Sequence, residues 1–130
     1  MREIKFRGRS CGFWAYGNLH IRKHDEFGNC AYIIGFAQNP STTTIVDINT
    51  IGQFTGLYDS IGREIYEGDI IKSSHGTLHY IVYDNDLACF KAVVARYNPL
   101  GEYETLSKGW VVQFNKEVVG NIHDNPELLK

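Results

Sequence analysis

The segment IGQFTGLYDSIGREIYEGDII, residues 51–71, is the most patterned part of the chain and holds four glycines. Asp59-Ser60 and Gly62 lie between apolar Leu57 and Ile65, and Gly62 can supply the positive φ that a tight turn requires. Gly68 repeats this arrangement immediately before a strand that begins at Ile70 and Ile71. The segment therefore predicts two closely spaced turns between short strands. The predicted turn residues are Gly56, Gly62, Gly68 and Asp69.

Apolar stretches of strand type continue on both sides of this segment. EIKFR alternates apolar and basic residues, NCAYIIGF is continuously apolar, and TLHYIVY, ACFKAVVARY and GWVVQF follow. A helical period is almost absent, and many short strands bounded by turn residues favour an all-β barrel or sandwich. Three local features complete the prediction. They are a tight turn at Gly17-Asn18, a strand or one capped helical turn in DINTIGQF after Asp47, and one helical turn in NPELLK.

Length and composition indicate one ordinary globular domain. The chain has 130 residues, 43% of them hydrophobic and 22% charged, which is close to globular averages. Its three cysteines are an odd number without CxxC spacing, so we expect reduced thiols in a cytosolic protein. No signal-type segment and no apolar run of about 18 residues occurs, and we expect neither export nor membrane insertion.

Charge is concentrated near the start of the chain. Residues 1–23 carry six Lys or Arg and one Glu, a net +5, whereas residues 24–130 carry a net −7. In an extended strand, alternate residues project from one face at steps of about 6.5–7 Å, similar to the spacing of phosphates in nucleic acid. Exposed rings among Phe13, Trp14 and Tyr16 could stack on bases or on Arg guanidinium groups, and the alternative is a solvated strand face with Trp14 in the core. The candidate nucleic-acid-binding residues are Lys5, Arg7, Arg9, Trp14, Arg22 and Lys23.

Catalytic and metal-binding patterns are weaker. Carboxylates in the 59–69 region could act as acid and base or hold a divalent cation, or they could cap turns beside Arg63. These acids are Asp59, Glu64, Glu67 and Asp69. A metal-dependent or carboxylate-dependent hydrolase is therefore the alternative function, although no catalytic residue, metal ligand or cofactor is predicted.

Two histidine pairs have a spacing of four residues, His20 with His24 and His75 with His79. On a helix this spacing could place both imidazoles against one zinc ion. On a strand the two positions are about 13 Å apart, which is too far. We therefore expect His75 in a turn, His79 in a strand, and ordinary exposed histidines.

The string TIGQFTGLYDSIGREIYEGDII closely resembles the signature of the YopX-like family of phage and prophage proteins. EIKFRG, WAYGNL and EVVGNIHDNPELL agree with that family in the same order, so the resemblance spans nearly the whole chain. It implies a mostly-β fold with an SH3-like barrel and an accessory role in a phage or prophage. It supplies no catalytic residues.

We therefore predict a single domain over residues 1–130 that is mostly β and contains little helix. A basic β-hairpin region over approximately residues 1–45 precedes a small SH3-like barrel over residues 46–130. The predicted function is that of a non-enzymatic binding or assembly module in the cytoplasm of a bacterial host. Its expected partners are a second copy of itself, nucleic acid, or a phage or host protein.

Overall fold

The computed structural model describes residues 1–24, 26, 28–35 and 42–130. Strands account for 56% of the described residues and helices for 7%, so the predicted mostly-β fold class is confirmed. The strands are β1 (Phe6–Ser10), β2 (Phe13–His24), β3 (Gly28–Gly35), β4 (Thr43–Tyr58), β5 (Glu64–Tyr66), β6 (Asp69–Lys72), β7 (Leu78–Asp84), β8 (Cys89–Val94), β9 (Tyr103–Thr105) and β10 (Glu117–Asn121). One short helix, α1, spans Lys108–Val112.

The chain divides into two compact units, Met1–Phe54 and Thr55–Lys130, and β4 continues from the first into the second. Because residues 43–58 form one strand, the helical-turn alternative after Asp47 is wrong. The predicted division near residue 45 and the SH3-like form of the barrel stay predictions. Neither α1 nor the other helical turn in the described residues is long and apolar enough to cross a membrane.

The first unit is built on a closed ring of four antiparallel strands. β1 pairs with β2, β2 with β3 and β3 with β4, and β1 also pairs with β4. Burial of apolar side chains inside this ring stabilises it. The core consists of Ala31, Ile33 and Val46, with Phe6, Ala15, Leu19 and Ile51 packed against it.

Gly17 lies inside β2, so the turn predicted at Gly17-Asn18 is wrong. Gly17 pairs with Phe6 on one side and Gly35 on the other. A Cβ atom at this position would overlap the carbonyl oxygen of Ile34 and lie 2.9 Å from Cα of Gly35. Glycine is needed here because the neighbouring backbone approaches too closely for a side chain. The hairpin turns instead between Ser10 and Phe13, where β1 ends and β2 begins.

The second unit contains an antiparallel sheet with the strand order β10-β6-β7-β8-β9. Its core combines residues of this sheet and of β5 with residues of α1. These are Ile65, Ile71, Ile81, Ala92, Trp110 and Val111. The Ser107 hydroxyl caps α1 by accepting the Trp110 N–H at 3.1 Å. A 3₁₀ turn over Pro126–Leu129 confirms the helical turn predicted in NPELLK.

Three hydrogen bonds hold the turn before β6. Gly68 has a φ of +93°, a conformation that side chains with a Cβ atom rarely adopt. Its N–H donates to the Ile81 carbonyl at 2.7 Å, and its own carbonyl accepts the Ile122 N–H at 2.9 Å. The buried Asp69 carboxylate accepts the Tyr66 N–H at 2.7 Å and closes the turn. Gly68 therefore connects the turn both to β7 and to the segment that follows β10.

Candidate functional site

Strand β2 has one face toward the core of the first unit and one face away from it. Ala15 and Leu19 pack against the core. Because side chains alternate along a strand, the residues with even numbers point outward. Residues directly opposite one another on paired antiparallel strands share a face. The register places Arg9 opposite Trp14, Arg7 opposite Tyr16, and Tyr32 opposite His20.

This surface of β1, β2 and β3 interleaves aromatic and basic side chains, and we call it the outer face. It consists of Arg7, Arg9, Trp14, Tyr16, His20, Arg22 and Tyr32. Four of these residues are among the six predicted to bind nucleic acid. The other two predicted residues, Lys5 and Lys23, lie outside the set.

Arg7 is buried in this surface, with only 6% of its area exposed. Its guanidinium carbon lies 4.7 Å from the ring centroid of Trp14, which is itself half-buried. This geometry is that of a cation–π pair. Arg7 is therefore placed to orient Trp14 and not to reach a phosphate.

The remaining predicted bases differ in how far they are available. Lys5 is half-buried, lies 3.2 Å from the Glu3 carboxylate, and has its ammonium 5.0 Å from the Phe54 ring centroid. Arg9 is also half-buried. Arg22 and Lys23 are exposed, but Lys23 has an odd number and lies on the other side of β2. Arg22 is thus the exposed base of the outer face.

The predicted stacking rings include Tyr16 but leave out two further aromatic residues of this surface, His20 and Tyr32. The ring centroids of His20 and Tyr32 are 6.4 Å apart, and both line a shallow cleft of about 180 Å³ together with Arg22. The alternation from Trp14 to Arg22 was visible in the sequence. The turn expected at Gly17 divided that alternation into two shorter strands and concealed it.

The predicted turn glycines all have positive φ, +85° at Gly56, +91° at Gly62 and +93° at Gly68. Gly62 belongs to a turn in which its N–H donates to the Asp59 carbonyl at 3.1 Å. Gly56 lies within β4.

The Asp59 carboxylate is fully buried and is occupied by structural hydrogen bonds. Oδ1 accepts the N–H groups of Ile61 and Arg63, and Oδ2 accepts Nε of Arg63 and the N–H of Val118. All four donors lie 2.8–3.1 Å away. Asp59 therefore serves the turn and β10. Within the described residues, no three His, Cys, Asp or Glu side chains are grouped to hold a metal ion.

His75 lies in a turn and His79 lies in β7, as the sequence predicted. The expectation of exposed histidines is wrong for His79, which is 7% exposed. Its ring packs edge-on against Trp110, with the centroids 5.2 Å apart. This burial depends on α1, which lies about thirty residues further along the chain and could not be foreseen from the spacing of the histidines.

Comparison with known proteins identifies a family. The model of the YopX protein family matches residues 5–130. The crystal structure of protein EF1440 from Enterococcus faecalis is similar over 100% of both chains, with a TM-score of 0.63 and 25% sequence identity. No curated protein matches the chain significantly. The chain belongs to the YopX protein family.

Proposed function

We propose that this protein is a non-enzymatic binding module that binds single-stranded nucleic acid on the outer face. The observation that supports the proposal is the interleaving of aromatic and basic side chains across β1, β2 and β3. Proteins that bind single strands combine rings on which bases stack with cations that follow the phosphates. The outer face supplies both on one rigid surface.

The exposure of each side chain decides which part of a nucleic acid it can contact. Tyr16 is 47% exposed and His20 is also exposed, so both offer ring faces for stacking. Arg22 is exposed beside them and is placed to contact a phosphate. Arg7 and Trp14 are the less exposed members of the outer face, and their cation–π contact holds the Trp14 ring in place.

The charge of the first unit supports weak and local binding. Met1–Phe54 carries six Lys or Arg and four Asp or Glu, a net +2, and Thr55–Lys130 carries a net −4. Affinity for a polyanion depends on the number of phosphates that cations neutralise. With so few available cations, we expect a shallow dependence on salt and modest affinity.

Fluorescence anisotropy with labelled single-stranded and double-stranded oligonucleotides, over a series of salt concentrations, tests this proposal. We expect single strands to bind better, and Arg22→Ala to reduce the slope of log affinity against log salt by about 0.7. Tyr16→Ala should weaken binding by about 1–3 kcal/mol in a protein that is still folded. The matched control is Lys108→Ala, which removes an exposed cation from the second unit and should leave the slope unchanged.

Failure to bind at low salt, with a folded protein shown by circular dichroism, would reject the proposal. Equal effects of Arg22→Ala and Lys108→Ala would indicate nonspecific attraction and would also reject it. Trp14→Ala provides a separate measurement. Because Trp14 is half-buried, its removal should lower the melting temperature as well as the affinity.

We further propose that the protein is a phage or prophage accessory protein that works in the cytoplasm of its bacterial host and associates with itself. Membership of the YopX family and three free thiols support this setting. The edge strand β9 is exposed at all three of its residues, and exposed edges favour pairing with another copy. Light scattering over a concentration series tests self-association, and copurification from lysogenic cells followed by mass spectrometry tests the setting.

A further inference from the structure

A cleft of about 210 Å³ lies in the second unit, beside β7 and the residues that follow α1. Clefts of this volume are smaller than those that hold drug-sized ligands, so a small molecule or one end of a larger molecule would fit. Polar side chains form most of its wall. They include Ser73, Thr77, His79, Glu104, Gln113 and Lys116.

In this wall, one buried ring nitrogen of His79 makes no hydrogen bond to the described residues. The residue is 7% exposed, and the nitrogen without a partner among the described residues is Nδ1. Buried polar atoms in proteins are nearly always hydrogen-bonded, and an exception calls for an explanation such as a ligand. Burial lowers the pKa of His79 despite the opposing charge of Glu104, so the imidazole is neutral at neutral pH.

Lys116 supplies a fixed positive charge next to His79. It is 3% exposed, and its ammonium donates to the carbonyls of Trp110 and Gln113, both at 2.8 Å. The Trp110 ring centroid lies 4.3 Å from the same nitrogen. Burial lowers the pKa of Lys116 against the raising effect of the nearby Glu104 carboxylate, while the two carbonyls and the ring favour the ammonium form. The two carbonyls use two of the three N–H groups of the ammonium, and neither carbonyl uses the third.

Other side chains of the wall also supply hydrogen-bond donors. The Ser73 oxygen accepts the Thr77 N–H at 3.2 Å and keeps its own proton to donate, and the Gln113 amide offers further N–H groups. The Glu104 carboxylate is the acidic acceptor of the wall, and one of its oxygens already accepts the Trp110 indole N–H. A ligand that brings acceptor oxygens would complement this wall.

The backbone beneath Lys116 is strained. Phe114 and Asn115 have φ values of +60° and +46°, which are uncommon for residues other than glycine. The Phe114 carbonyl accepts the Ser74 N–H at 2.8 Å and so holds this conformation. Backbone conformations of this kind persist only where the surrounding structure enforces them, and they are concentrated at functional sites such as ligand sites.

We propose that this cleft is a binding site for a small oxyanion, a carboxylate or phosphate group, held by Lys116, His79 and Gln113. The ammonium provides the charge, and the imidazole and amide direct hydrogen bonds to the oxygens. This site is separate from the outer face and belongs to the other unit.

Two-dimensional NMR of the ¹⁵N-labelled full chain tests the site by titration with sodium phosphate, sodium acetate and sodium chloride at constant ionic strength. We expect saturable movement of the Trp110 indole N–H signal with an oxyanion and none with chloride. A response to phosphate alone identifies a phosphate group as the ligand. A response to acetate as well identifies oxyanions in general, and both results support the proposal.

Two variants make the test specific. His79→Phe keeps an aromatic ring at the position and should weaken binding at least about tenfold by removing a hydrogen bond to a charged ligand. Gln113→Glu changes an exposed side chain and should weaken binding similarly by adding a negative charge. Its matched control is Asn85→Asp, which adds the same charge at an exposed position of the β7–β8 turn. Equal responses to chloride and phosphate, or unchanged affinity in both cleft variants, would overturn the proposal.

Discussion

Asp59 and Val118 lie 59 residues apart in the sequence, and Oδ2 of Asp59 accepts the Val118 N–H at 2.9 Å. The other carboxylate oxygen accepts the N–H groups of Ile61 and Arg63. Burial by itself would raise the pKa of Asp59. The hydrogen bonds from Val118, Arg63 and Ile61, with the charge of Arg63, outweigh burial and lower the pKa below its usual 3.8. One carboxylate thus connects the turn after β4 to β10.

Asp59→Asn should lower the free energy of unfolding by about 3 kcal/mol, because an amide replaces one acceptor oxygen with a donor that faces other donors. Urea unfolding followed by circular dichroism measures this change. Asp86→Asn is the matched control because Asp86 is exposed, and its effect should stay within about 0.5 kcal/mol. Similar losses in the two variants would contradict the structural role of Asp59.

The stability that Asp59 contributes should depend on pH in the acid range. The folded-state pKa lies below the unfolded value of 3.8, so the contribution is fully present above about pH 4 and is lost as pH falls through the folded pKa. The difference in stability between wild type and Asp59→Asn should therefore shrink below pH 4. A difference that stays constant down to pH 2 would show that the ionised form is not preferred in the folded protein.

His79 should produce a second pH dependence, with loss of stability as pH falls below about 6.5. Burial, with the charges of Lys116 and Arg96, lowers its pKa below 6.5 despite the opposing Glu104. The unfolded chain therefore binds the proton more readily, and stability falls as pH drops from 6.5 toward the folded pKa. Thermal melts at several pH values should show a smaller loss for His79→Phe. At pH 7.5 this variant should be at least as stable as wild type, because it removes an unpaired buried nitrogen.

Gly68→Val should cost at least about 1 kcal/mol in the free energy of unfolding, because a branched side chain is strained at a φ of +93°. The two backbone hydrogen bonds of Gly68 prevent the turn from relaxing. Lys72→Val is a suitable control, since it introduces the same side chain at an exposed strand position where valine is well tolerated. A melting curve unchanged by Gly68→Val would contradict the claim that this turn requires glycine at position 68.

Gly17→Ala and Gly12→Ala separate two reasons for a glycine. At Gly12, φ is +96° and a Cβ atom would meet nothing within 4 Å, so we expect only conformational strain of about 1 kcal/mol. At Gly17, a Cβ atom would collide with the backbone of Ile34, so the loss should exceed about 3 kcal/mol. Denaturant unfolding measures both losses, and equal values would contradict the close approach of β2 and β3.

Local physical chemistry explains which features the sequence could predict. The positive φ at Gly62 and Gly68 follows from turn residues between apolar runs, and the strand assignment follows from the alternation of side chains. Gly17 was misjudged because its requirement comes from Ile34 on a neighbouring strand. The burial of His79 likewise comes from Trp110 on α1. In both wrong predictions the deciding contact is with a residue that is distant in sequence. A pattern among neighbouring residues carries no information about such a contact.

The two hydrogen bonds of Gly68 also set an order of events during protein synthesis. The ribosome synthesises β6 before β10, although β10 pairs with one edge of β6 in the folded protein. The Gly68 carbonyl can accept its hydrogen bond only after Ile122 has been synthesised. Until residue 122 has left the exit tunnel, the nascent second unit presents β6, with its apolar Ile70 and Ile71, as an open strand edge. Open edges of this kind attract chaperones and neighbouring nascent chains. The strand pairings that close the four-stranded ring, as far as the structure describes them, reach no further than Gln53, so the chain can form them while translation continues.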